Sequence, residues 1–241
     1  VPGDDDEAFA LLDAVEEMAK RCEKTVAAII VEPVAANAGV TLPQEGFLKG
    51  LRKVADRYNI VFIVDEVITG FRLSYGGAQD HFNVKPDLTS LGKIVGGGLP
   101  FGAFGGREDI MKLLSPEGNV YQAGTFSGNP VTVASGIATL KALKRTDPYE
   151  ALERTTKRLC KGIEDTARRH AIKLKVENIA SIFGVSFKGR DAFKQFFHSL
   201  LKDGIYLSPS EREANFLSTA HTQNDIDKTL EAIDKAFAET S

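Results

Sequence analysis

The sequence predicts an α/β protein with a mainly parallel sheet, followed by a small α+β domain. Two short apolar runs rich in β-branched residues, 26–32 and 60–66, each follow a segment whose apolar residues recur at helical spacing. From about residue 146 the chain becomes richer in helical patterns and in charged residues. With 241 residues and 43% hydrophobic content, the chain is long enough to build a sizeable core.

The first elements are predicted to form a βαβ unit. Apolar residues of 8–18 repeat at helical spacing ahead of the strand candidate VAAIIVE, 26–32. A second helix is predicted over 47–58, and the strand candidate IVFIVDE follows it at 60–66. Because a strand, helix and strand at this spacing are joined by a crossover, the sheet should be mainly parallel, and ligands should bind beyond the carboxyl ends of its strands.

Two further strands and a helix complete this larger domain, for which the limits 1–146 are predicted. The strand candidates LTSLG (88–92) and FGAFGG (101–106) flank a glycine-dense stretch. Asn129 followed by Pro130 is typical of the start of a helix.

Residues 147–241 are predicted to form the small α+β domain. Apolar residues at helical spacing predict three helices, around 152–163, 193–201 and 226–237. Three strand candidates alternate with these helices: IKLKVE, SIFGVSF and NFLSTA.

Charge and cysteine content exclude several classes of function. The chain has 33 acidic and 30 basic residues and no long basic run, so neither nucleic-acid nor membrane binding is predicted. No apolar stretch approaches the ~20 residues that span a bilayer. Cys22 and Cys160 are too few and too far apart for a disulfide framework or a thiolate metal site, and the histidines show no ligand spacing. We therefore expect a cytoplasmic protein without a metal.

The stretch FIVDEVITGF (62–71) ends an apolar strand on two carboxylates, Asp65 and Glu66. A strand buried on both faces should place these acids at the mouth of the sheet, where their charge must be used or neutralised. Two chemistries fit: magnesium binding in an ATPase, or pairing with a buried cofactor cation. The ATPase alternative lacks a phosphate loop ahead of Asp65, because the pair Gly92 and Lys93 lies after it and is followed by Ile94.

Lys93 is the candidate nucleophile. It follows a strand candidate and is flanked by Gly92 and by the glycines of 96–98, so backbone can close tightly around a bound group. We expect a lysine in such a place to be buried, and burial makes an amine more nucleophilic. The alternative is a surface lysine in a loop.

Five motifs occur in order and together resemble the class III aminotransferases, which use pyridoxal phosphate. These motifs are EPVAANAGV (32–40), VDEVITGFR (64–72), SYGGAQ (74–79), PDLTSLGKIVGGGLPFGAFGGR (86–107) and YQAGTFSGNP (121–130). SYGGAQ and YQAGTFSGNP are most similar to the aminomutase branch of that family. The resemblance implies the type I fold of pyridoxal-phosphate-dependent transferases, with residues 1–146 as the C-terminal part of the cofactor-binding domain.

The resemblance implies a role for each matching residue near the cofactor ring. Lys93 would bond the cofactor covalently and act as general acid and base, and Asp65 would pair with the pyridine nitrogen and keep the ring protonated. Val67, two residues further along an extended strand, would pack against the ring. Asn37 would hydrogen-bond the ring hydroxyl.

Two further sites follow from the resemblance. Gly124 and Thr125 would reach across a homodimer interface to the cofactor phosphate of the partner subunit, where backbone amides and a hydroxyl suit an anion. Glu213 would lie near the active-site entrance and help to gate it. Glu66 is left without a role in catalysis, and we expect it to pair with a neighbouring base or with backbone amides.

The implied reaction is an intramolecular amino transfer in tetrapyrrole (porphyrin) biosynthesis. Glutamate 1-semialdehyde would be converted to 5-aminolevulinate, with the pyridoxamine phosphate form of the cofactor as the amine donor. Two alternatives stay open: an ω-aminotransferase that acts on two separate substrates, and an inactive fragment that serves only as a dimerisation partner.

The resemblance also implies segments that this sequence lacks. Members of the family extend further ahead of the position of Val1, where a phosphate loop and a ring-stacking aromatic belong. The 241 residues alone are therefore expected to bind cofactor poorly and to be inactive. The stretch SFKGRDAFKQF is also shorter than the family's connection, through a deletion or an omission near residues 187–192.

Overall fold

The computed structural model describes residues 5–22, 25–188 and 192–240. The chain divides into two compact units: Val1–Val34 with Pro43–Asp147, and Ala35–Leu42 with Pro148–Ser241. The predicted domain limits, 1–146 and 147–241, stay a proposal. No sequence pattern predicted that an eight-residue stretch early in the chain, Ala35–Leu42, belongs to the second unit.

The first unit contains a sheet of four strands. Its helices and strands are α1 (Asp5–Arg21), β1 (Ala28–Val31), α2 (Phe47–Arg57), β2 (Val61–Glu66), α3 (Gly77–His81), β3 (Leu88–Leu91), β4 (Ala103–Gly106), α4 (Glu108–Met111) and α5 (Pro130–Thr146). The strand order is β1-β2-β3-β4, with β1, β2 and β3 parallel and β4 antiparallel to β3. The prediction of a mainly parallel sheet is confirmed.

Helix α2 forms the core of this unit together with β2. Its buried side chains recur at helical spacing, and these are Phe47, Leu48, Leu51, Val54 and Ala55. They form one apolar cluster with Phe62 and Val64 of β2. Burial of one such large side chain contributes roughly 1.5–3 kcal/mol to stability. This packing fixes β2, and with it the position of the acids at its end.

Helix α5 starts as the sequence predicts. The Asn129 side chain accepts hydrogen bonds from the backbone amides of Val131 and Thr132, at 3.0 and 3.3 Å, and Pro130 occupies the first turn. These bonds satisfy amide groups that have no partner within the helix. Because α5 starts at Pro130, the turn that contains Gly124 and Thr125 ends just before Asn129.

The second unit is an α+β arrangement, as predicted. Its elements are α6 (Tyr149–Arg169), β5 (Leu174–Ile179), β6 (Ile182–Phe187), α7 (Ala192–Lys202), β7 (Asn215–Phe216) and α8 (Gln223–Thr240). The strands form an antiparallel sheet in the order β5-β6-β7. Its core is built mainly by α6, α7 and α8 through Leu159, Ile163, Phe196, Leu200, Ile233 and Phe237.

Part of the predicted short connection lies outside the described residues. Positions 189–191 fall between β6 and α7 and are not among them. Within the described ranges, no helix is long and apolar enough to cross a membrane.

Candidate functional site

The carboxyl ends of β2 and β3 bring together three of the predicted site residues. In the parallel register, Asp65 of β2 lies opposite Ser90 of β3. Lys93 follows β3 by two residues and starts a short 3-10 helix, Lys93–Gly96. Val67 follows β2 directly. This is the edge at which open α/β sheets bind ligands.

The Asp65 carboxylate is held by one of its oxygens. The Ser90 hydroxyl and the backbone amide of Val67 both donate to Asp65 Oδ1, at 2.9 and 3.0 Å. Within the part of the chain that the structure describes, Oδ2 makes no hydrogen bond. The side chain is half-buried. Asp65 therefore offers one oriented acceptor oxygen, as pairing with a ring N–H requires.

Glu66, the last residue of β2, is fully buried, with 0% of its surface exposed. Its carboxylate accepts from the backbone amides of Ala78 and Gln79, at 2.7 and 2.9 Å. The Thr69 hydroxyl and the Gln79 side-chain amide also donate to it, at 2.8 and 3.1 Å. The expectation that Glu66 pairs with backbone amides is confirmed.

The Glu66 contacts also explain a glycine of SYGGAQ. Gly77 has φ +75°, and a Cβ there would lie 2.6 Å from both carboxylate oxygens of Glu66. Only glycine meets both conditions without strain. Because four donors surround the Glu66 carboxylate, it cannot join Asp65 in holding a magnesium ion, which weakens the ATPase alternative.

The structure corrects the expectation of a buried Lys93. Its side chain is exposed in this chain, as are residues 97–100 that follow it. Its backbone has φ +50°, a left-handed conformation that is rare for a residue with a side chain. Strained residues of this kind cluster at active sites. The amine is thus accessible to a ligand from solvent.

The strand does not extend to Val67. Strand β2 ends at Glu66, and residues 67–70 form a turn, so Val67 is not placed on the face of Asp65 by strand alternation. The Val67 amide donates its hydrogen bond to Asp65 Oδ1 rather than to a neighbouring strand, and this favours a turn. The side chain still lies beside β3: a Cβ on Gly92 would be 3.2 Å from Val67 Cγ1. Val67 therefore forms an apolar wall next to the residue that precedes Lys93.

A buried ion network fixes the start of β3. Asp87 accepts hydrogen bonds from the Phe62 amide and from Arg52 Nη1, both at 2.7 Å, and from Arg107 Nη1 at 3.1 Å. Burial raises the pKa of Asp87, but these hydrogen bonds outweigh that effect and leave the pKa below its ordinary value. The network ties the strand that leads to Lys93 to β2 and to the end of β4.

Gly124 and Thr125 lie in an exposed turn before α5. The Ser127 amide donates to Gly124 O at 2.9 Å. Both residues line a groove of about 670 Å³ together with Phe101, Phe104 and Phe126. The groove combines a hydroxyl and backbone with apolar side chains.

Asn37 and Glu213 belong to the second unit. Asn37 is exposed and lies two residues after Ala35, whose amide and carbonyl group pair with Thr41, and Glu213 is exposed in a turn where its amide donates to Ser210 O at 3.0 Å. Their predicted roles at the cofactor stay predictions.

Ser90 and Gln79 contact the two acids of β2, and sequence reasoning missed both residues. Ser90 is a small polar residue within a predicted strand, three positions before Lys93, and the parallel register could have paired it with Asp65. The Gln79 side-chain amide bridges Glu66 Oε1 and Thr89 Oγ1, at 3.1 and 3.3 Å. It links the end of β2 to β3, and this contact depends on tertiary structure that the sequence alone does not reveal.

The fold and the Asp65 and Lys93 arrangement define a member of the class III aminotransferases. The sequence profile of that family, Aminotransferase class-III, matches residues 1–237, so the chain belongs to this family. The resemblance inferred from the five motifs is confirmed.

Its curated relatives include glutamate-1-semialdehyde 2,1-aminomutases. That of Desulforudis audaxviator (strain MP104C) is 49% identical over 242 residues, and that of Syntrophomonas wolfei subsp. wolfei is 46% identical over 242 residues. Each alignment covers 95% of this chain and 56% of the relative. The chain thus spans little more than half the length of these relatives.

Solved structures agree on the fold. An omega-transaminase from Sphaerobacter thermophilus superposes with a TM-score of 0.85 at 29% identity, over 94% of this chain and 55% of that one. The predicted type I transferase fold is therefore confirmed for the part of the domain that the chain contains.

Proposed function

We propose that the protein is a pyridoxal-phosphate-dependent aminomutase that converts glutamate 1-semialdehyde to 5-aminolevulinate in tetrapyrrole biosynthesis. The observation that carries this proposal is the adjacency of Asp65 and Lys93 at the carboxyl ends of two paired parallel strands, in a chain 49% identical to an enzyme of that name. The described residues fit the cofactor: Asp65 Oδ2 makes no hydrogen bond among them, and Val67 forms an apolar wall.

When bound, pyridoxal phosphate supplies an electron-accepting ring and a carbon at which amino groups are exchanged. Asp65 accepts the hydrogen bond of the ring N–H and holds the ring by its nitrogen. Val67 packs against the ring and excludes water from one side of it. Lys93 Nζ would hold the cofactor covalently, and as a free amine it would act as the general base and acid that moves protons between the substrate carbons and the cofactor.

The roles of Asn37 and Glu213 rest on the family resemblance alone. The Asn37 amide would donate to the ring hydroxyl, and the Glu213 carboxylate would lie at the entrance and gate it. We assign Gly124 and Thr125 to the phosphate that the partner subunit holds, because an exposed hydroxyl next to backbone amides suits an anion.

A homodimer is the assembly that this assignment requires. Several large apolar side chains around Thr125 are exposed, among them Tyr121 at 84%, Phe126 at 81% and Val131 at 66%. Exposed apolar patches of this kind mark interaction sites, and a second copy is the partner that would use Thr125. Phe126→Asp is expected to give a monomer in analytical ultracentrifugation, whereas Tyr206→Asp, at another exposed aromatic, should not.

We further propose that the protein is cytoplasmic. Both cysteines are free, Cys160 is buried, and burial next to Glu164 raises its pKa to about 12. A reducing compartment suits this pattern. Fractionation of cells that express a tagged protein would test it, and recovery outside the cytoplasm would contradict it.

The activity is tested with the intact protein that its gene encodes. Glutamate 1-semialdehyde is supplied without any other amino acceptor, and 5-aminolevulinate is measured with wild type and Lys93→Ala. An aminomutase forms product with wild type alone. Product that requires a separate acceptor would favour the ω-aminotransferase alternative.

The inactive-fragment alternative needs its own comparison. The 241-residue chain and the intact protein are assayed side by side for cofactor binding and product. Turnover by the intact protein together with none by the 241 residues would agree with our expectation, and turnover by both would overturn it.

A further inference from the structure

The loop that carries Asn37 is a closed structure within the second unit. The Asn37 loop, Ala35–Leu42, has paired ends: the Ala35 amide donates to Thr41 O at 3.2 Å, and the Thr41 amide donates to Ala35 O at 2.9 Å. At its bend, Gly39 has φ +86°, which favours glycine. Asn37 is thus held between a closed base and a fixed bend.

The bend of the Asn37 loop is joined to the turn that carries Glu213. The Gly39 amide donates to the carbonyl oxygen of Arg212 at 2.7 Å, one residue before Glu213. We call residues 208–215 the Glu213 turn. Within it, the Glu213 amide donates to Ser210 O at 3.0 Å, so the turn is itself compact.

Strand β6 supports both segments. A Cβ on Gly184 would lie 3.0 Å from Val40 Cγ2 and 3.3 Å from the Val40 backbone nitrogen, so the buried Val40 packs directly on β6. At the end of the same strand, the Phe187 amide donates to Glu211 Oε2 of the Glu213 turn at 3.1 Å. One strand therefore carries the Asn37 loop and the Glu213 turn together.

We propose that Gly39, Val40 and Gly184 are positioning residues that make Asn37 and Glu213 move as one body. Displacement of Glu213 at the entrance is then transmitted through Arg212 and Gly39 to the amide at the ring hydroxyl. Gating of the site and tuning of the cofactor are thereby coupled. The roles of Asn37 and Glu213 rest on the proposed function; the coupling between their segments rests on the contacts above.

The test changes the packing of Val40 on β6 in the intact protein. Gly184→Val places a branched side chain against Val40, and Gly184→Ala is a milder version in case the larger change prevents folding. Val40→Ala added to Gly184→Val restores space. Gly105→Val is the control, because a Cβ on Gly105 meets no atom within 4 Å.

Hydrogen exchange, measured by mass spectrometry on peptides of the two segments, reads the coupling without reference to activity. Gly184→Val should accelerate exchange about tenfold in both peptides, because the added side chain overpacks the contact with Val40. The double variant should restore both peptides. A response in only one peptide would overturn the coupling, whatever the function proves to be.

Two functional readouts separate a positioning role from a merely structural one. The pH dependence of the absorption of bound pyridoxal phosphate reports on Asn37, and KM for glutamate 1-semialdehyde reports on Glu213. Both should change together in Gly184→Val and recover in the double variant, with Gly105→Val unchanged. Exchange that changes while absorption and KM do not would overturn the positioning role. If the wild-type protein binds no cofactor, the proposed function is refuted. The coupling between the two segments is then tested by hydrogen exchange alone.

Discussion

The Ser90 hydroxyl donates a hydrogen bond of 2.9 Å to Asp65 Oδ1 across two parallel strands, and the two residues are direct partners in the strand register. This contact turns one carboxylate oxygen toward β3 and leaves the other available. It lies three residues before Lys93. The orientation of the acid and the position of the lysine therefore depend on the same strand pair.

Ser90→Ala is expected to weaken cofactor binding. Removal of one hydrogen bond to a charged group costs about 1.5 kcal/mol, or roughly a tenfold higher Kd for pyridoxal phosphate. Fluorescence titration of the intact protein measures this. Ser90→Thr keeps the hydroxyl and should bind like wild type, so equal losses in both variants would contradict the role of the hydrogen bond.

Glu66→Gln is expected to lower the free energy of unfolding by about 2–4 kcal/mol. Glutamine keeps one acceptor oxygen and turns an NH₂ group toward donors, of which the Ala78 amide and the Thr69 hydroxyl are buried. Urea unfolding checks this. The neighbouring Asp65→Asn is the control: its amide oxygen can still accept from Ser90 and Val67, so it should unfold nearly like wild type while losing cofactor affinity.

Asp87→Asn should destabilise the protein by about 3 kcal/mol at pH 7, because Arg52 and Arg107 lose a carboxylate partner that is only 9% exposed. The folded-state pKa of Asp87 lies below its unfolded value, which is about 3.9. Its stabilisation is therefore present above that pH and is lost as the pH falls through the folded-state pKa.

The measurement for Asp87 is urea unfolding of wild type and variant as a function of pH. The difference in the free energy of unfolding between wild type and variant should be constant above about pH 5. It should narrow below about pH 4, because the Asp87 carboxylate is protonated there whereas asparagine does not titrate. Asp234→Asn, at a half-exposed residue whose hydrogen bonds from His170 and Arg169 lower its pKa, should show the same pH trend with a smaller difference, because exposed ion pairs contribute little. A difference for Asp87→Asn that does not depend on pH would argue against the ionic network.

Lys93→Gly should be more stable than Lys93→Ala by about 1 kcal/mol in the cofactor-free protein. Both variants lack the amine, but only glycine relieves the left-handed backbone at φ +50°. Thermal unfolding compares them. Lys112→Gly and Lys112→Ala are the controls, because the Lys112 backbone has φ −65°. At that position the glycine variant should be the less stable of the two. If glycine were also the less stable variant at position 93, Lys93 would not be strained.

The strands and the start of α5 were predictable because their signals are local. A β-branched run defines β2, and the pair of Asn129 and Pro130 defines the helix start. The burial of Glu66 was not predictable, because the donors that surround its carboxylate include residues 78 and 79, which only the fold brings back to the end of β2.

The site residues divide in the same way. Asp65 and Lys93 are found by sequence because one lies near the end of an apolar strand, the other follows such a strand, and both match motifs of the family. The exposure of Lys93, its backbone angle and the turn at Val67 depend on contacts between strands, and no residue pattern records them. Asn37 shows the limit most clearly, since its loop folds with residues more than 140 positions later in the chain.

That loop also decides how the second unit could be produced in isolation. A gene fragment starting at Pro148 would omit Val40, which packs on Gly184, and Gly39, which binds Arg212. The recombinant fragment would expose an apolar strip of β6 and would tend to aggregate. A soluble version would need residues 35–42 grafted ahead of Pro148 by a flexible linker, which makes this unit discontinuous in the gene although it is continuous in space.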